Sequence, residues 1–145
     1  MLNSLFEGMT LAISASVHLE IRHADEKGYS FCGSILDMID NKTLAILIPD
    51  HEEILTTKIL PRSFGLGERD SIAIAVHRNA IVLTNERKVI NFCERNGVDA
   101  LSLDQLLRAL WELHILSKKE VADLMDEMEK KDNVSIQSKE EILSD

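Results

Sequence analysis

The sequence predicts a single α/β domain, a parallel sheet with helices on both faces in three layers. Three observations support this. Leu44–Ile48 (LAILI) and Ala80–Leu83 (AIVL) are apolar throughout rather than alternating, as strands buried on both faces are. Between and after them lie segments whose apolar residues recur at three and four, and strand–helix alternation argues for parallel pairing. The 145 residues, 45% apolar and 28% charged, suffice for one real core.

Taken in order, Thr10–Ile13 reads as a short strand, and Ser14 as the cap of a helix over Ala15–His23, where Val17 and Ile21 lie four apart. Gly28 breaks that helix. A second fits Tyr29–Ile39, with Phe31, Cys32, Ile35, Leu36 and Ile39 on one face. Pro49 closes the LAILI strand. Ile54–Leu60 suits either a strand or a short helix, and Pro61–Gly67 (PRSFGLG) is a loop by its proline and glycines. A helix runs from Glu68 to about Arg78 and buries Ile72, Ala73, Ala75 and Val76. AIVL follows, then a helix from Glu86 to Asn96 that ends at Gly97. Val98–Leu101 is a weaker strand. Ser102 with Gln105, and Ser117 with Glu120, form capping boxes that open helices through His114 and over the face of Val121, Leu124, Met125 and Met128. The folded domain spans residues 1–131. Residues 132–145 form a polar tail, in which Ser138–Glu141 repeats the box pattern and allows a last short helix.

A net charge of −9 argues against holding nucleic acid mainly through its phosphates, because lysine and arginine supply the counterion release. It leaves open an enzyme that meets a phosphodiester through metal ions on carboxylates, or a basic protein partner. Only Cys32 and Cys93 occur, without a CxxC, which suits a reducing compartment. No run of 18 apolar residues is present, so no membrane span is expected. Met1–Leu11 lacks a basic leader and cleavage site, so a cytoplasmic location is the expectation.

Three segments carry a resemblance. Leu66-Gly67-Glu68-Arg69-Asp70-Ser71-Ile72-Ala73-Ile74-Ala75 resembles the GE-x-[ED]-x-I-x-x-A segment of PIN domains. Leu83-Thr84-Asn85-Glu86-Arg87-Lys88 resembles that family's strand-end T-[ND]-[DE]-R motif, and Ser14–Ile21 is similar to the acid-bearing helix after its second strand. The three occur in the family's order and cover roughly residues 2–131. PIN domains begin with a central strand that ends in an Asp. Here Leu2–Phe6 resembles the end of the following helix, so that strand and its Asp have no counterpart. Either the sequence starts late, or another segment or subunit fills the gap, or the chain is a degenerate member.

The resemblance implies an RNA or DNA phosphodiesterase using Mg²⁺ or Mn²⁺, often the toxin of a toxin–antitoxin pair. It gives Asp70 and Glu86 metal-binding and catalytic roles, Glu20 a third ligand position, and Thr84 and Asn85 a contact to water or phosphate. RNA would be a transient substrate, an antitoxin or a second copy of the chain a protein partner. The alternative is an inactive PIN-like module that associates through its amphipathic helices Ser102–His114 and Ser117–Lys131. Ordinary readings stand beside these. Acids in a first helical turn are favoured by the helix dipole, Glu20 suits a solvated helix face, and the five histidines form no ligand cluster.

Overall fold

A computed structural model describes residues 10–29, 31–131 and 136–145. In chain order these give β1 (Ala12–Ser14), α1 (Ala15–Glu26), α2 (Phe31–Asp40), β2 (Ala45–Leu47), α3 (His51–Ile59) and α4 (Leu66–Arg78). They continue with β3 (Val82–Leu83), α5 (Arg87–Arg95), β4 (Ala100–Leu101), α6 (Leu103–Glu112), α7 (Lys118–Lys131) and α8 (Lys139–Leu143). The proposed likeness of Leu2–Phe6 to a helix end lies outside the described residues.

The mixed α/β class and the parallel pairing follow the sequence, but the sheet does not. Among the described residues the strands form two separate two-stranded parallel sheets, β1 with β2 and β3 with β4, rather than one sheet between helical layers. Ala12 pairs with Ala45 and Ser14 with Leu47; Val82 pairs with Ala100. The two apolar runs are correspondingly not covered on both faces. Ala45–Leu47 are half-buried, and Ile48 and Leu83 are exposed. A strand in a two-stranded sheet keeps one edge without a neighbour, and the helices cover only part of what remains.

Local chemistry explains the helix starts. The Ser14 hydroxyl accepts the Val17 amide at 3.3 Å and starts α1 directly after β1. The ambiguous segment after Pro49 is helical because Asp50 and Glu53 form a reciprocal capping box, an N-terminal signal one turn ahead of the apolar residues. The boxes at Ser102–Gln105 and Ser117–Glu120 form as their spacing predicts. Helix α4 begins two residues earlier than its acids suggest, at Leu66, and ends at Asn79 in a left-handed conformation, φ 53°.

Helix α4 organises the fold. It packs against α1, α3, β1 and β3, and Gly67, Asp70 and all four of Ile72–Ala75 are buried. Four consecutive buried residues cover the whole circumference of a helix, as expected for one enclosed on several sides. One core joins Ile72, Ala73 and Ala75 to Leu60, Phe64, Val82, Val89 and Cys93. A second, built by α6–α8, holds Leu107, Leu110, Val121, Met125, Ile136 and Ile142. The polar C-terminal stretch therefore contributes two apolar anchors, Ile136 and Ile142. No described helix is long and apolar enough to cross a membrane.

Candidate functional site

Two buried carboxylates on the faces of α3 and α4 have opposite environments. Glu53 of α3 is fully buried and neutralised. Arg78 donates to it twice, from Nε at 2.9 Å and Nη2 at 2.8 Å, and the Asp50 amide donates at 2.9 Å. The Arg78 hydrogen bonds hold the Glu53 carboxyl below its ordinary range, against burial, which alone would push it up. Asp70 of α4 is 8% exposed and has no ion pair among the described residues. Its oxygens accept hydroxyl protons instead, Oδ2 from Ser16 and Oδ1 from Thr57 at 3.1 Å. The Thr57 hydroxyl also lies 3.0 Å from the Glu53 carbonyl, so one proton serves two acceptors.

The seam between α1 and α4 also carries a second, exposed acid, Glu20, against Gly67. Ser16 and Glu20 lie one turn apart on the same face of α1. A Cβ built on Gly67 would meet Val17 Cγ2 at 2.8 Å and Glu20 Oε1 at 3.0 Å. Glycine is therefore what lets α1 and the Glu20 carboxylate reach the first turn of α4, one turn before Asp70. Glu68 bonds back to the Gly65 amide at 3.2 Å and serves the helix start.

The remaining residues singled out by sequence lie on the β3–α5 turn. Glu86 is the exposed N-cap residue of α5, and its amide donates to the Thr84 hydroxyl at 3.1 Å. Asn85 accepts the Leu103 amide at 2.8 Å and ties this turn to the start of α6. Among the described residues Glu86, Asp70 and Glu20 do not form a three-membered group that could hold a metal ion. The structure thus brings Glu20 and Asp70 to one seam and leaves Glu86 on a separate turn.

Two carboxylates on one seam suit one hydrated Mg²⁺ or Mn²⁺, which takes hard oxygen ligands and commonly only one or two carboxylates. They do not supply a second ion: among the described residues, no three His, Cys, Asp or Glu groups converge on a common point. Ser16 and Thr57 belong to the site although no motif pointed to them. The four-residue step from Ser16 to Glu20 was a usable signal, whereas Thr57 lies on a segment whose helical state was open. Comparison with protein-family models, curated proteins and solved structures finds no match to this chain.

Proposed function

We propose that the chain is a Mg²⁺- or Mn²⁺-dependent phosphodiesterase of the PIN class acting on RNA, with its acidic centre on the α1–α4 seam and its two sheets as parts of one three-layer fold. The observation that carries this reading is Asp70, a buried carboxylate held by two hydroxyls, with no ion pair among the described residues, on the seam that also carries Glu20. A buried carboxylate calls for compensation, and Glu53 shows what the fold does when the role is structural: it supplies an arginine.

A bound ion would polarise a phosphate oxygen and lower the pKa of a coordinated water. The chain's own groups hold the geometry. Ser16 and Thr57 fix the Asp70 rotamer, Gly67 admits Glu20, and the Thr84 and Asn85 bonds hold Glu86 at the end of β3. The net charge of −9 fits transient contact with RNA through an ion rather than a basic groove.

Calorimetric titration with Mn²⁺ tests the reading directly. Binding to the chain is expected, with at least a tenfold loss in Asp70→Asn and a smaller loss in Glu20→Gln. Cleavage of RNA by the 145-residue chain is expected to be weak, because few carboxylates face the ion. Unchanged Mn²⁺ affinity in Asp70→Asn overturns the assignment, and cleavage that survives Asp70→Asn together with Glu86→Gln points to a different agent.

The separation of Glu86 from the other two acids favours a second reading, a module that acts by protein association. Of helices α6 and α7, Leu107, Leu110, Val121 and Met125 pack in their shared core, whereas Leu113 at the end of α6 is exposed.

A further inference from the structure

The two small sheets face each other across a cavity of about 410 Å³, walled on one side by β1 and the residues flanking it, Thr10–Ser14, and on the other by Ala80–Leu83. Ile74 and Ala75 of α4, which packs on both strands, form its floor. The walls are mainly apolar.

The ladders show what both edges present to this space. Ala45 donates to the Leu11 carbonyl at 3.0 Å, so the odd residues Leu11 and Ile13 turn their peptide groups toward β2. In a strand successive peptide groups point to opposite sides, which turns the N–H and C=O of Ala12 away from β2. On the other wall Val82 donates to Asp99 at 2.9 Å and Thr84 to Leu101 at 3.0 Å. The N–H and C=O of Leu83 therefore point away from β4. Among the described residues, two strand edges without a partner open on one apolar slot.

We propose that this slot receives an extended apolar segment of a partner polypeptide, which adds a strand between β1 and β3 and joins the two sheets. Backbone groups on both walls specify a strand rather than a compact ligand, since only a peptide backbone offers donors and acceptors at the ladder repeat. The size agrees. A strand residue in a packed sheet occupies roughly 4.8 by 10 by 3.3 Å, about 160 Å³, so 410 Å³ holds about three residues, the length of β1. Apolar walls call for β-branched side chains, and among the described residues Arg78 is the one charged group that lines the slot. Every described strand already has one partner within the chain, so a second copy would have to open one of its own sheets to give any of them. This inference does not depend on metal binding or cleavage.

The test uses the 145-residue chain and a synthetic peptide of about five alternating valine and isoleucine residues flanked by lysines, with a control carrying proline at its centre. Amide hydrogen exchange is read at Ala12 and Leu83. The alternating peptide is expected to slow both amides at least tenfold and the proline control neither. Ala12→Pro removes a donor that faces the slot and leaves the bonds to β2 intact, so it is expected to weaken peptide binding at least tenfold. Leu83→Pro does the same from the other wall if Ala12→Pro fails to fold. Peptide binding without protection at either amide overturns the proposal. So does full protection of both in the chain alone, which, if it rises with protein concentration, assigns the slot to a second copy and otherwise to residues 1–9.

Discussion

Replacing Arg78 with methionine leaves the Glu53 carboxylate buried with one remaining donor, the Asp50 amide. Breaking a buried pair from one side typically costs about 3–5 kcal/mol, because the surviving charge is stranded. The Arg78 side chain is 39% exposed and Glu53 fully buried, so solvent reaches one half of the pair and screening discounts the figure to about 2–3 kcal/mol. The Arg78 bond to the Ile48 carbonyl adds little, since Ile48 is exposed and water replaces the donor. At roughly 3 °C per kcal/mol for a chain of this length, the melting temperature should fall by about 6–9 °C at pH 7. The pH dependence gives a second signature. In the parent, Glu53 titrates below its ordinary value of about 4.3, so its stabilisation is present above that value and is lost as pH falls through the lower folded pKa. Without Arg78, burial raises the folded pKa, and protonation relieves the stranded charge. The deficit of Arg78→Met should therefore shrink as pH falls toward about 4. Thermal melts followed by circular dichroism between neutral pH and that value check both parts. A variant within about 0.5 kcal/mol of the parent at pH 7, or a deficit that grows on acidification, refutes the account.

Gly67→Ala sets two effects against each other. The new methyl meets Val17 at 2.8 Å, an overpacking of about 1–3 kcal/mol, while alanine gains up to about 1 kcal/mol of helix propensity. A net loss of about 1 kcal/mol in urea titration is expected, with weaker Mn²⁺ binding as Glu20 moves; a stabilised variant would show that the seam has slack. Ile142→Ala removes an anchor of the second core at the cost of about 2 kcal/mol. The indole of Trp111 donates to the Ile142 carbonyl at 2.6 Å, so the tryptophan emission should shift red, and an unchanged spectrum would show that α8 stays docked. Burial pushes the Cys93 thiol above its ordinary range, which leaves it without accessible thiolate at pH 8. Disulfide reagents should therefore react with Cys93 only after unfolding, and rapid labelling of the native chain would contradict its burial.

Residues with local causes were legible before any coordinates. Ser102–Gln105 and Ser117–Glu120 state their helix starts within four residues, and Ser14 caps α1 through its own hydroxyl. The Asp50–Glu53 box is equally local, but the apolar residues of Ile54–Leu60 that follow it fit both a strand and a helix period. What the sequence did not show was the break in the sheet. LAILI and AIVL read as fully covered strands, yet coverage depends on neighbours that no short window contains. The site divides the same way. Asp70 stands out by its place after the PRSFGLG loop and Glu20 by the resemblance of its segment, whereas the close approach of α1 to α4 depends on Gly67, a residue of that loop by sequence. The Arg78–Glu53 pair spans 25 residues and left no pattern to read.

The enclosure of α4 also governs the order of assembly. Its neighbours range along the chain from β1 at Ala12 to β3 at Leu83, so Ile72–Ala75 are buried only after loops of tens of residues have closed. The entropy of that closure precedes the reward from burial, so docking of α4 is the expected rate-limiting step of folding. A truncation such as Ile72→Val should then lower the folding rate and leave the unfolding rate nearly unchanged. A truncation in the locally connected core of α6–α8 should speed unfolding instead.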